Sequence, residues 1–194
     1  MIRPTAENPK NVTDTVNKPL KDGGQVSIRR VKEKDLQELS ELYVKVYTAD
    51  GVGEKLTPAD ATKTLEYLYD KNPALALVAE VEGKIVGGNF CDVENEKGQK
   101  ALDVKEIFVD PQMQYKEIGE QLMAEGICRA EKFYDTKEIG LITFAKGHAG
   151  KFYESFGLKS AESLVLMNWE VKEVVSSLKN KVRERAEGGT EAKK

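Results

Sequence analysis

Sulfur, histidine and long apolar runs are all scarce in this chain of 194 residues. Cys91 and Cys128 are its only cysteines and neither has a CxxC partner, so neither a disulfide framework nor a zinc site is indicated and no metal is expected. Both are read as buried free thiols. His148 is the single histidine, with no cysteine or serine motif beside it, and is read as a capping or exposed residue rather than a catalytic one. No apolar stretch approaches a bilayer span, and MIRPTAENPKNVTDTVNKP lacks the apolar middle of a signal peptide, so the expectation is a cytoplasmic protein without membrane contact. Positive charge is not in excess either: 30 Lys plus Arg against 33 Asp plus Glu leaves −3, and there is no basic stripe to attract nucleic acid.

What is present suits one globular domain with appendages, since 40% hydrophobic residues suffice for a core. Residues 1–24 are polar, carry prolines and end in KDGG, a composition expected to form a flexible leader. Residues 25–171 contain the alternations and periodicities of a folded domain. Residues 172–187 read as an amphipathic helix with Val174, Val175, Leu178 and Val182 on one side, and 188–194 as a disordered tail. The final strand and this helix offer places for a homodimer contact.

Within the domain, VSIRRV alternates as a strand and runs into a helix carrying Leu36, Leu39, Leu42, Tyr43, Val46 and Tyr47 at helical spacing. Thr57-Pro58-Ala59-Asp60 supplies an N-cap hydroxyl, a proline at the first helical position and an acidic third residue, so a second helix starts there and ends at Asn72-Pro73. Two β-rich runs meet at Glu82-Gly83-Lys84 as a hairpin. A turn at Glu96-Lys97-Gly98 leads to a third strand, ALDVKEIFV, stopped by Pro111. A helix over 119–134, the strand IGLITF, a short helix HAGKFYESFG and a last strand LVLMNWEV give the order β-α-α-β-β-β-α-β-α-β plus a C-terminal helix. The class is α/β (α+β), with three of the strands an antiparallel meander; the mixed central sheet flanked by helices is what the family resemblance given below implies. Tyr43, Tyr47 and Tyr69 read as core aromatics and Asp92-Val93-Glu94-Asn95-Glu96 as a solvated hairpin tip, the alternative for both, an acceptor pocket that would favour a cationic amine, being one that the same resemblance implies.

The junction of the third meander strand with the long helix carries the chemistry. The first N–H groups of a helix lack internal partners and its dipole is positive there, so such a turn can hold a diphosphate, although every strand-to-helix turn has these amides. Here the words Val109-Asp110-Pro111 and Gln114-Tyr115-Lys116-Glu117-Ile118-Gly119 resemble the V-x-P and [RQ]-x-x-G-x-[GA] signature of the GNAT acetyltransferase family. VAEVEGKIVGG looks like that family's second and third strands, and Ala149 to Leu158 is similar to its A-x-x-F-Y-x-x-x-G-F segment. The resemblance runs over nearly all of the chain between its tails. Lys146 stands where the family has an asparagine, and Glu117 where it usually has its first loop glycine. A side chain at Glu117 fits if the backbone stays near αR, with the carboxylate turned to solvent or paired with Lys116.

The resemblance implies the GNAT acyl-CoA N-acyltransferase fold and transfer of an acetyl group from acetyl-CoA to an amine by direct attack. The backbone of Ile107, Phe108 and Val109 would receive pantetheine as an added strand. Gln114, Tyr115, Lys116, Glu117, Ile118, Gly119 and Glu120 would surround the pyrophosphate. Tyr153 matches the tyrosine many members use as general acid; its phenol, with an ordinary pKa of about 10, suits proton donation to a departing thiolate. The alternative is an aromatic packed beside CoA. The base would be a carboxylate on the preceding strand, Glu106 in preference to Asp103 because it lies nearer the strand's end. A second implication is a non-catalytic module of this fold that binds acyl-CoA or a protein partner.

Overall fold

The computed structural model describes residues 14–49, 56–96, 98–144, 148–161 and 170–188. They belong to two units, one ending at Thr143 and the other beginning at Phe144. In the first, strands β1 (Thr15–Pro19) and β2 (Gln25–Arg30) precede helices α1 (Leu36–Ala49) and α2 (Pro58–Lys71). Strands β3 (Ala76–Val81), β4 (Lys84–Glu96) and β5 (Gln99–Val109) follow, then helix α3 (Ile118–Tyr134) and strand β6 (Glu138–Leu141). The strands form one sheet in chain order, antiparallel from β1 to β5, with β6 parallel to β5 after the excursion through α3.

Three readings change here. Thr15 to Pro19, expected as leader, is an edge strand paired to β2 from Thr15 opposite Arg29 to Pro19 opposite Gln25. KDGG is the turn of that hairpin, with the Leu20 amide donating to the Gly24 carbonyl at 2.9 Å. The half-exposed alternation of β1 carries little hydrophobic signal, which is why composition alone reads it as unstructured. Second, Asp92 to Glu96 are the end of β4, paired to β5, so the acidic stretch is strand and not tip. Third, Cys91 is buried but Cys128, on α3, is exposed.

Local chemistry accounts for the helices and turns. Thr57 Oγ1 accepts from the Asp60 amide at 3.2 Å and Pro58 opens α2. Asn72 ends it, and its Oδ1 accepts from the Tyr134 hydroxyl at 2.9 Å. Glu82 and Gly83 both have positive φ between β3 and β4, as a two-residue hairpin turn requires. The first four residues of β3 are buried on alternate faces: Ala76 and Val78 join Leu39, Tyr43, Leu65, Phe90 and Phe108 in one apolar cluster. Leu77 and Ala79 join Leu20, Ile28, Val86, Ile118 and Leu122 in another. Helices α1 and α2 therefore cover one face of the sheet and α3 the other. Gly126 of α3 lets the sheet approach closely, since a Cβ there would meet Asn89 Nδ2 at 2.8 Å.

In the second unit, helix α4 (His148–Glu154) begins at an exposed His148 and is followed by Gly157 at φ 86°. Phe152 packs edge-on against Tyr153 and Phe156, at 5.2 and 4.8 Å between ring centroids. Helix α5 (Val171–Gly188) exposes Val174, Val175 and Leu178. The expected last strand falls largely on residues 162–169, outside the described residues, as does Lys146; Val171 already belongs to α5. Among the described residues no helix is long and apolar enough to cross a membrane.

Candidate active site

The end of β5 is built by a bulge and by the early loss of a neighbour. Phe90 opposes Glu106 and Cys91 opposes Val104, so Lys105 is the extra residue. Adjacent residues of a regular strand point to opposite faces, and a bulge relaxes that rule. Accordingly Lys105 lines a cavity with Tyr67, Leu68 and Lys71 of α2, while Glu106 accepts from the Tyr47 hydroxyl of α1 at 2.5 Å. Strand β6 pairs with β5 only from Ala101 opposite Glu138 to Val104 opposite Leu141. Beyond Val104, residues 105–109 have β4 on one side and no strand on the other among the described residues. The two carboxylates considered as base thus differ: Asp103 is in the paired part, opposite Gly140, and Glu106 in the open part.

Asp103 belongs to a charge cluster. Lys105 pairs with Asp103 and, at 2.9 Å, with Glu94. Burial raises the Asp103 carboxyl above the usual aspartate range, Glu94 adds to this, and Lys105 opposes it. Asp92 and Glu94 line the same cavity, of about 130 Å³, between α2 and strands β4 and β5.

After Val109 the chain is tied down on three sides. Lys45 of α1 reaches both oxygens of Asp110 at 2.8 Å, and the Asp110 amide donates to the Val86 carbonyl at 2.8 Å. Gln114 Nε2 donates back to the Val109 carbonyl at 3.2 Å. Tyr115 and Glu117 then both take the left-handed conformation, at φ 62° and 67°, on either side of Lys116, and α3 starts at Ile118 with no side-chain cap. Such alternation turns successive amides toward one concavity, and the uncapped helix end adds its own, which together suit an anion.

Glu117 thus takes the left-handed form that favours glycine, not the αR form in which a side chain fits without strain, between the tied strand end and the buried Ile118. Strain of roughly 1–3 kcal/mol per such residue is compensated elsewhere. Its carboxylate does not pair with Lys116, one of the two arrangements considered for it. Glu117 pairs with Lys21 at 2.7 Å, and Lys116 with Asp22 at 3.1 Å.

The structure brings Glu106, the backbone of Ile107 to Val109, and Gln114 to Glu120 into one strand–loop–helix junction of the first unit. Tyr153 is half-buried on α4 of the second unit, against Phe152. Tyr43 is a buried core residue, and Tyr47 and Tyr69 pack against the same core, Tyr47 also holding Glu106. Lys21, Lys45, Tyr67 and Lys105 escaped the sequence reading. The KDGG turn was a usable signal for Lys21; the other three owe their places to long-range packing.

A family model described as "Acetyltransferase (GNAT) domain" matches residues 72–159. An uncharacterised N-acetyltransferase of Methanocaldococcus jannaschii is 30% identical over 147 residues, 74% of this chain and 64% of that one, so the chain spans less than two thirds of this relative's length. A crystal structure from Pyrococcus horikoshii superposes with a TM-score of 0.63 at 26% identity, over 72% of this chain and 92% of that one. An aminoglycoside N-acetyltransferase solved in complex with CoA shares the fold, with a TM-score of 0.62 at 14% identity over 76% of this chain and 97% of its own. Relatives and fold neighbours agree with the residues that carried the resemblance: residues 72–159 match the GNAT acetyltransferase domain, within a chain that has the fold of GNAT proteins.

Proposed function

We propose that the protein transfers an acetyl group from acetyl-CoA to a primary amine, with both substrates bound together and the amine attacking directly. The observation that carries this reading is the junction itself: a strand edge at residues 105–109, unpaired on one side among the described residues, runs into a loop with two left-handed residues and an uncapped helix start. Bound acetyl-CoA supplies the acyl group as a thioester. The backbone of Ile107, Phe108 and Val109 offers amides and carbonyls to a pantetheine arm, which adds to the sheet as a strand. The amides from Gln114 to Glu120 receive the diphosphate.

Glu106 takes the ammonium proton of the acceptor, and the Tyr47 hydroxyl fixes its orientation. Its site beyond the last β5–β6 pair supports it over Asp103, which is engaged with Lys105. Tyr153 holds the proton that the departing sulfur needs. The acceptor is taken as a cationic amine, in keeping with a fold neighbour named for aminoglycosides; Asp92 and Glu94 line the nearby cavity together with Lys71 and Lys105. Thiol release from acetyl-CoA across a panel of polyamines, aminoglycosides and lysine peptides tests the activity. We expect turnover with at least one cationic amine, and a Tyr153→Phe variant slower by about 10²-fold with unchanged CoA affinity. No thiol release and no heat of CoA binding would sink the reading.

A second reading, a non-catalytic module that binds acyl-CoA or a protein partner, is favoured by one feature, the carboxylate of Glu117 in the diphosphate loop. It predicts CoA binding with no turnover and no effect of Tyr153→Phe.

A further inference from the structure

The turn between β1 and β2 lies against the loop to which the proposed function assigns the diphosphate. Leu20 and Ile118 are both buried in the cluster under α3, and the charged residues next to each of them pair crosswise. Lys21 meets Glu117 at 2.7 Å and Asp22 meets Lys116 at 3.1 Å, and Asp22 Oδ1 also accepts from the Gly24 amide at 3.2 Å within the turn. The four charges sum to zero. Without Lys21, Glu117 would bring an unbalanced carboxylate to a concavity of amides whose ligand is an anion, with Glu120 one turn further along the same helix end.

We propose that Lys21 is a positioning residue for CoA: from the N-terminal hairpin it neutralises Glu117 and holds that carboxylate aside, so that a loop with glutamate in a glycine's place still accepts a diphosphate. The inference rests on the proposed reading of the loop as the diphosphate site. Lys21 acts through Glu117, so its importance depends on that side chain being present. A residue that bound phosphate directly would matter equally with or without it.

The test is a double-mutant cycle on the full chain, read as CoA affinity by calorimetry and as KM and kcat for acetyl-CoA. Lys21→Ala is expected to weaken CoA about fivefold, the upper range of an exposed charge coupling, with kcat unchanged. Lys21→Arg should restore the affinity. Pantetheine, which lacks the diphosphate, should compete equally well against wild type and Lys21→Ala. In a Glu117→Gly background, Lys21→Ala should cost nothing further. Equal losses in both backgrounds, no loss in either, or an equal loss toward pantetheine would overturn the proposal. If wild type binds pantetheine but gains nothing from the diphosphate, or binds no CoA at all, the reading of the loop itself fails and the inference with it.

Discussion

One hydroxyl takes part in holding Glu106. Tyr47 donates to its Oε2 across 59 residues of sequence, and an O–H donor favours the ionised carboxylate. Tyr47→Phe should therefore lower kcat/KM by about tenfold while leaving CoA affinity unchanged. An unchanged kcat/KM would separate Glu106 from the reaction. Tyr47 was legible as an aromatic at helical spacing, but not its partner, because helical periodicity reports which face is buried and not what that face meets. Glu117 shows the same limit from the other side. Its departure from the family pattern was plain in the sequence, whereas its left-handed backbone and its pairing with Lys21 follow from neighbours fixed by the fold.

At the scale of elements, α3 and β4 are locked by a polar chain inside an apolar layer. Cys91 donates to Asn89 Oδ1 at 3.2 Å, and Asn89 Nδ2 donates to the Leu122 carbonyl of α3 at 3.2 Å. Gly126 leaves room for that amide. Gly126→Ala should push Asn89 aside and lower stability by roughly 1–3 kcal/mol, seen as a lower denaturant midpoint at unchanged slope. A wild-type midpoint would show that the helix shifts at no cost. Strand β5 shows where element-level reading stops. Its existence and its end at Pro111 were readable from alternation and proline, but the bulge at Lys105 depends on how β4 pairs with it, and the bulge is what aims Lys105 and Glu106 at the same face.

For the whole molecule, burial of Cys91 between sheet and α3 links stability to pH. Desolvation, with Asp103 and Asp92 adding to it and Asn89 opposing, pushes the thiol from an ordinary 9.0 up to about 12. The contribution of Cys91 is therefore fully present below pH 9.0 and is lost as pH rises toward about 12, because the unfolded chain releases its proton first. Chemical denaturation across that range should show a slope steeper in wild type than in Cys91→Ala, by up to about 1.4 kcal/mol per pH unit. Parallel slopes would mean that the thiol ionises in the folded state. Periodicity, turn residues and caps along the chain were enough to specify the order of strands and helices and to place a strand-to-helix junction after Val109, since those signals are local and repeat every few residues. Pairing decided the rest: β1 joined the sheet, β6 left β5 at Val104, and the hairpin turn brought Lys21 to Glu117. Contacts between residues distant in sequence form only when apolar faces close on one another, and no local pattern records them.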